Sequence, residues 1–168
     1  MCSSDLELAR VNSLTWSSHK ARADVVAYKL GVGLDAPGLV LAKSHSYMNE
    51  SGGPIKALCN FYKIEKENLI VIHDELDIPF NSIRIKQGGG DNGHNGLKST
   101  TSALGADYYR IRMGIGRPAG EQDPADFVLK NFSSAEKSEL QDFISRGGDA
   151  IEYLIRNGLT AAQGAYNQ

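Results

Sequence analysis

The order of predicted elements, β-β-α-β-β-α-β-α, places this 168-residue chain in the α/β class, with one mixed central sheet and helices on both faces. Three observations predict this class. Strand-like and helix-like segments alternate along the chain, and glycine-rich or polar connections separate them. The run 69–72 is apolar throughout, as is typical of a central strand covered on both faces. In such sheets ligands bind beyond the carboxyl ends of the strands, so we expect the functional site there.

Five segments carry strand patterns. Residues 23–28 and 39–42 flank a connection rich in glycine and proline, and together they predict a hairpin. The remaining strands are predicted at 69–72, 83–86 and 109–113. The last strand alternates apolar and basic residues, so Arg110 and Arg112 are expected on one face of it.

Helices are predicted where apolar residues recur at helical spacing between recognisable ends. Residues 52–62 fit this pattern, with Ser51 as the candidate N-cap. Residues 97–104 follow the loop 88–93, whose glycines indicate unusual backbone angles or close approach of a ligand. A shorter helical segment is predicted over 5–12.

The last helix has the clearest start. Ser133 and Glu136 have the spacing of a capping box and precede a long amphipathic pattern. We predict that this helix ends at Gly158, with a break near the Gly147-Gly148 pair and a short helix afterwards.

The amino-acid composition is typical of a globular protein. Hydrophobic residues make up 41% and charged residues 23%, as in an ordinary globular protein, and the length suggests one domain over residues 1–168. No apolar run reaches the roughly 20 residues of a membrane span, and the polar start lacks the features of a signal peptide. We therefore expect a soluble, cytoplasmic protein.

The net charge of -2 argues against a protein that coats nucleic acid by bulk electrostatics. The basic residues are nevertheless concentrated in the middle third of the chain, where a phosphate-bearing partner could bind. They are Arg84, Lys86, Lys98, Arg110, Arg112 and Arg117.

Acidic residues and a histidine follow the apolar run 69–72. Burial and like charge beside a strand end can raise the pKa of a carboxylate in the segment 73–77, which suits a general base or a group that orients one. The alternative is that these side chains only cap the following turn. A third interpretation is a metal site formed by His73, Asp74 and His94.

The glycine-rich loop presents His94 and Asn95 between two glycines, close to any ligand that the loop approaches. Its spacing matches neither a Walker loop nor a dinucleotide-binding fingerprint. An amide at this place can orient a water molecule or donate to an oxyanion. The segment 47–52 precedes a helix and, taken alone, is explained by a turn and an N-cap.

Taken together, four motifs in the same order and spacing resemble those of bacterial peptidyl-tRNA hydrolases. They lie at 47–52, 73–79, 88–98 and 110–118, and the resemblance extends from about residue 18 to the final helices. It implies a phosphorylase/hydrolase-like α/β fold and hydrolysis of the ester that joins a peptide to tRNA. It further implies a cytoplasmic monomer that recognises the acceptor stem and 3′ end of peptidyl-tRNA, with no metal, organic cofactor or protein partner.

The resemblance also implies roles for individual residues. Asp74 would hold and polarise a catalytic histidine, and Asn95 would position substrate and water, with His94 beside it. The junction of tRNA and peptide would be contacted by Tyr47, Met48 and Asn49. From the concentration of basic residues in the middle third, we separately predict that the tRNA phosphates are contacted by Lys86, Lys98, Arg110 and Arg112.

One part of the family pattern has no counterpart in these 168 residues. The family opens with a strand carrying Gly-Leu-Gly-Asn-Pro-Gly, followed by Thr-Arg-His-Asn, which supplies the general base. We therefore expect a domain that lacks the first strand and the catalytic histidine, and slow turnover. The alternatives are a catalytically dead module that binds the tRNA acceptor stem, and the metal-dependent hydrolase.

Overall fold

The computed structural model describes residues 9–10, 13–118, 120 and 122–168. The chain divides into two compact units. Among the described residues, those within 8–70 and 87–109 form one, here called the hairpin unit, and those within 71–86 and 110–168 form the other, the helical unit. The expectation of a single domain over 1–168 stays a prediction.

The hairpin unit contains an antiparallel three-stranded sheet. Its strands are β1 (Ser17–His19), β2 (Ala23–Lys29) and β3 (Gly38–Ser44), in the order β1-β2-β3. Val25 lies opposite Ala42 on one side and Ser17 on the other, so the predicted hairpin is confirmed. The short strand β1 was not predicted, because its sequence Ser-Ser-His carries no apolar alternation.

A second sheet has the order β4-β6-β5, with β4 at Ile70–Glu75, β5 at Ile83–Gln87 and β6 at Tyr109–Gly114. The Tyr109 and Ile115 amides donate to the carbonyls of Leu69 and Glu75, a constant offset that makes β4 and β6 parallel. The Gly88 amide donates to Tyr108, and the Gly114 amide to Ser82, so β5 is antiparallel to β6. The sheet is therefore mixed, as predicted.

Two expectations about the sheets are corrected. The described residues form two three-stranded sheets and not one, because the hairpin strands pair with their sequence neighbours. In the described part of the chain the apolar strand β4 has β6 as its one neighbour and so lies at the edge of its sheet and not at the centre, and residues 70–72 are only half-buried. Continuous apolar sequence therefore does not mark a strand covered on both faces here.

The helices confirm the α/β class. They are α1 (Gly52–Tyr62), α2 (Asn95–Leu104), α3 (Pro124–Val128) and α4 (Ser134–Tyr166), and single 3-10 turns lie at Met48–Glu50 and Lys66–Asn68. None of the described helices is long and apolar enough to span a membrane. The segment predicted at 5–12 is helical at Ala9 and Arg10, and its other residues lie outside the described ones.

Two helix starts differ in how they are capped. Ser51 occupies the N-cap position of α1 but does not cap it, since its hydroxyl donates to the carbonyl of Met48. Ser133 and Glu136 form the predicted capping box of α4. The helix continues through the glycine pair at 147–148, where a break was expected, and leaves helical geometry at Gly158, where φ is 77°.

The helical unit closes the outer edge of β5 with side chains. The Asn167 carboxamide accepts from the Ile85 amide at 2.6 Å and donates to the Ile85 carbonyl at 2.9 Å. Gln163 donates to the same carbonyl at 3.1 Å. The end of α4 therefore satisfies backbone groups that face away from β6.

Candidate functional site

The carboxyl end of β4 carries the acidic part of the candidate site. Side chains alternate between the two faces of a strand, and His73 and Glu75 are each only 5% exposed. Asp74 lies between them and is half-exposed. The strand therefore presents the Asp74 carboxylate on the face opposite to two buried polar side chains.

Glu75 is held by an ion pair across the sheet. Arg112 on β6 donates to Oε2 of Glu75 from Nε at 3.1 Å and from Nη2 at 3.0 Å. The other carboxylate oxygen accepts from the Asp77 amide at 3.2 Å, which fixes the turn that follows the strand. Asp77 in turn accepts from Nε of Arg117 at 2.5 Å, and this contact raises the pKa of Arg117. These contacts hold the backbone on the carboxyl side of Asp74.

His73 contacts the neighbouring residue through its ring. Its Nδ1 lies 2.7 Å from the Asp74 carbonyl oxygen. Because a carbonyl oxygen only accepts, Nδ1 carries the proton in this contact.

The glycine-rich loop leads into α2, and the imidazole of His94 caps that helix. Its Nδ1 accepts from the Leu97 amide at 3.2 Å, so this nitrogen carries no proton. In the neutral ring the proton is therefore on Nε2, which can donate but not accept. Asn95 is the first residue of α2 and is exposed.

Two glycines allow the 3-10 turn Met48–Glu50 and the start of α1 to pack closely on α2. A Cβ on Gly52 would overlap the Ser99 carbonyl oxygen, and the Gly52 amide donates to the Ser99 hydroxyl at 3.0 Å. A Cβ on Gly96 would fall against Sδ of Met48 and the His94 ring. Within the hairpin unit, the structure thus brings Met48, His94 and the start of α2 together. Tyr47, Met48 and Asn49 are all exposed, Tyr47 by 78% and Met48 by 52%.

The loop before α2 is anchored by a residue that the sequence analysis missed. Thr101 on α2 donates to the Asp91 carboxylate at 2.7 Å, and its hydroxyl lies 3.1 Å from that of Tyr108. The Asp91 carbonyl accepts from the His94 amide at 2.8 Å. Asp91 and Thr101 are ten positions apart in the sequence. A contact between a loop and a helix has no periodicity, so the sequence pattern does not predict it.

The four basic residues that were expected on tRNA phosphates differ in exposure and in pairing. Lys98 is exposed on α2, and Lys86 is half-buried on β5. Arg110 is fully buried and Arg112 is paired with Glu75. The expectation for Arg110 is corrected, because a guanidinium with no exposed surface offers nothing to a phosphate.

The metal hypothesis has no geometric support. Among the described residues, no three histidine, cysteine, aspartate or glutamate side chains form a group that could hold a metal ion. The proposed set of His73, Asp74 and His94 is therefore not brought together as a metal site.

The helical unit therefore carries a carboxylate at a strand end, and the hairpin unit carries an imidazole and an amide at a helix start. A carboxylate can take a proton from water, and an imidazole or an amide can donate to an oxyanion. The family model described as "Peptidyl-tRNA hydrolase" matches residues 6–168.

Individual relatives agree with this match. Peptidyl-tRNA hydrolase of Arthrobacter sp. (strain FB24) is 50% identical over 162 residues, which is 96% of this chain and 82% of the relative. The protein of that name from Streptomyces coelicolor is 51% identical over 168 residues, with 97% and 82% covered. The crystal structure of peptidyl-tRNA hydrolase from Acinetobacter baumannii is 28% identical with a TM-score of 0.85, covering 97% of this chain and 83% of that one. The chain belongs to the peptidyl-tRNA hydrolase family, so the resemblance is confirmed.

Proposed function

We propose that this chain hydrolyses the ester bond of peptidyl-tRNA, releasing the peptide and free tRNA for ribosome rescue and tRNA recycling. The observation that carries the proposal is the identity of about half of the residues to curated peptidyl-tRNA hydrolases over nearly the whole chain. The catalytically dead tRNA-binding module and the metal-dependent hydrolase are not favoured by this similarity.

The reaction needs an activated water, which attacks the ester carbonyl, and donors for the oxyanion that forms. In this proposal the Asp74 carboxylate takes a proton from the attacking water, because the general-base histidine of the family pattern has no counterpart in these 168 residues. Asn95 orients the water and the substrate carbonyl from the start of α2. The tetrahedral intermediate then collapses as the bond between its carbon and the ribose oxygen breaks, and this oxygen takes up the proton removed from the water and leaves as a hydroxyl.

His94 serves as a donor in this scheme and not as the base. Its Nδ1 already accepts from the Leu97 amide, so the neutral ring carries its proton on Nε2 and has no nitrogen left to take a proton from water. The Nε2 proton can stabilise the oxyanion or the leaving oxygen.

Substrate contacts come from exposed side chains. The aromatic ring of Tyr47, the thioether of Met48 and the amide of Asn49 suit the junction of peptide and terminal nucleotide. Lys98 and Lys86 are the basic residues we assign to phosphate, and Arg110 and Arg112 are left out because of their burial and pairing. We further propose that the protein acts in the cytoplasm as a monomer, with peptidyl-tRNA as its partner and without a metal or organic cofactor.

The test is release of peptide from an N-blocked aminoacyl-tRNA by the purified chain. We expect turnover above the spontaneous rate, reduced about 10²- to 10⁴-fold by Asp74→Asn and about 10²- to 10³-fold by Asn95→Ala. The matched control is Asn60→Ala, which removes an exposed amide on α1 and is expected to leave turnover unchanged.

The same assay separates the alternatives. Binding of the tRNA without any turnover would favour the dead module, and loss of turnover with a chelator would favour the metal-dependent hydrolase. The peptidyl-tRNA hydrolase of Arthrobacter sp. (strain FB24), run in parallel, measures whether turnover is as slow as the sequence predicts.

A further inference from the structure

We propose that His73 is a positioning residue, which fixes the backbone of Asp74 through its Nδ1–H. This inference rests on the proposed function, because Asp74 is the catalytic residue that it serves. Turnover then depends on where the Nδ1–H donor of His73 lies and not on the basicity of its ring.

The pairing of β4 with β6 sets the direction in which the Asp74 carbonyl points. Along β4, the carbonyls of Leu69 and Glu75 accept from β6, and in a strand successive carbonyls face opposite sides. The Asp74 carbonyl therefore faces away from β6, and the β4–β6 pairing cannot satisfy it. His73 supplies a hydrogen bond to this carbonyl at 2.7 Å.

The same hydrogen bond restricts the direction of the Asp74 side chain. The hydrogen bond closes a ring of atoms between the His73 imidazole and the Asp74 carbonyl. This ring passes along the backbone of both residues, so the φ and ψ torsions of Asp74 are part of it. Those two torsions set the direction of the Cα–Cβ bond. Because His73 is only 5% exposed, water competes little for the donor. Together with the ion pair that holds Glu75, this contact fixes the chain on both sides of the Asp74 carboxylate.

Three substitutions separate the donor from the bulk of the ring. In His73→Asn the amide nitrogen can occupy the place of Nδ1, in His73→Gln it falls near Nε2, and His73→Leu has no donor. We expect the asparagine variant to keep kcat within about threefold of the unsubstituted chain. We expect the glutamine and leucine variants to lose about 10²-fold in kcat, as for a misplaced catalytic group, with KM for the tRNA substrate unchanged.

The control is His45→Asn, an exposed histidine that pairs with Asp24 in the hairpin unit and is expected to keep full turnover. Thermal melting of every variant separates folding from positioning. If the leucine variant fails to fold, the comparison of asparagine with glutamine still decides the question. Equal kcat in these two variants, unchanged kcat in the leucine variant, or an effect on KM alone would overturn the proposal.

A second measurement does not depend on activity. The ¹⁵N shifts of the labelled imidazoles report which ring nitrogen carries the proton, and we expect Nδ1–H for His73. An unprotonated Nδ1 would overturn the inference even in an active enzyme. If the unsubstituted chain has no turnover, the proposed function fails, and the tautomer still decides whether His73 holds the Asp74 backbone.

Discussion

The hairpin unit supports its candidate site residues by close backbone packing, whereas the helical unit supports Asp74 by buried polar contacts. In the hairpin unit, Gly52 and Gly96 let the 3-10 turn Met48–Glu50 and the start of α1 pack closely on α2. Side chains such as Tyr47 and Met48 stay exposed beside this contact. In the helical unit, a buried carboxylate–guanidinium pair and an imidazole hold the strand end. The first arrangement is sensitive to added volume and the second to an unpaired charge.

The largest expected effect concerns the buried ion pair of the helical unit. Arg112→Leu leaves the Glu75 carboxylate buried without its partner, and we expect a loss of about 3–5 kcal/mol in the free energy of unfolding. Urea unfolding measures it. The double variant Glu75→Leu/Arg112→Leu should recover most of the loss, because the stranded charge is gone.

The exposed ion pair between Arg117 and Asp77 is the matched control for this prediction. Its side chains are 62% and 36% exposed, so Arg117→Leu should cost only about 0.2–1 kcal/mol. Equal losses for the two arginine variants would show that burial of charge is not what distinguishes the helical unit.

The next effect tests the packing of the hairpin unit. In Gly52→Ala the new methyl group overlaps the Ser99 backbone, and we expect a loss of about 1–3 kcal/mol. The neighbouring Gly53 has open space around its Cβ position, so Gly53→Ala should instead gain up to about 1 kcal/mol from helix propensity. Thermal melting of the pair decides it, and a gain in both variants would contradict the close approach.

A smaller effect is expected at the start of α4, where two residues close in sequence cap the helix. Ser133→Ala removes the capping hydroxyl and should cost about 1 kcal/mol. The hydrogen bonds with the Ser133 hydroxyl and from its amide lower the pKa of Glu136. The capping contribution of its carboxylate is therefore present above the ordinary pKa of Glu and is lost as pH falls through the lowered value.

The pH dependence is isolated by a difference between two proteins. Glu136→Gln keeps an acceptor but cannot titrate, so the unsubstituted chain should lose stability relative to this variant below about pH 4. Unfolding curves across that range measure the difference. A constant difference at all pH values would mean that the Glu136 carboxylate contributes no pH-dependent stability.

The smallest effect compares the lysines of the two units. Lys98 lies in the hairpin unit and Lys86 in the helical unit, and replacing either with alanine should flatten the salt dependence of tRNA binding by about one unit of slope. Lys29→Ala, on β2, is expected to leave the slope unchanged. If only one of the two variants responds, the phosphate contacts are restricted to one unit.

The confirmed structural predictions rest on patterns among residues that are close in the sequence. The capping box at Ser133 and Glu136 is made by residues three apart, and the hairpin pairs strands that are sequence neighbours. These contacts follow from short-range geometry, which a sequence displays directly. The four spaced motifs predicted the family, because their order and spacing could be read without knowing any contact.

Contacts between distant residues could not be predicted. Arg112 finds Glu75 37 positions away, and a basic residue on an alternating strand carries no sign of whether it is paired or exposed. The same limit applies to Arg110, which was expected to face phosphate and is buried. The edge position of β4 was missed because an apolar run does not reveal which strands pair with it. The roles of Asp74 and Asn95 stay predictions.

The contact of Asn167 with Ile85 has a consequence for how this chain is made. The residue that completes the outer edge of β5 follows Ile85 by 82 positions, so β5 is synthesised well before its partner. Throughout that interval the Ile85 amide and carbonyl are open to pairing with another nascent chain or with a chaperone. The rate of elongation from β5 to the end of α4 therefore helps to set how long the protein is vulnerable to misassembly during its own translation.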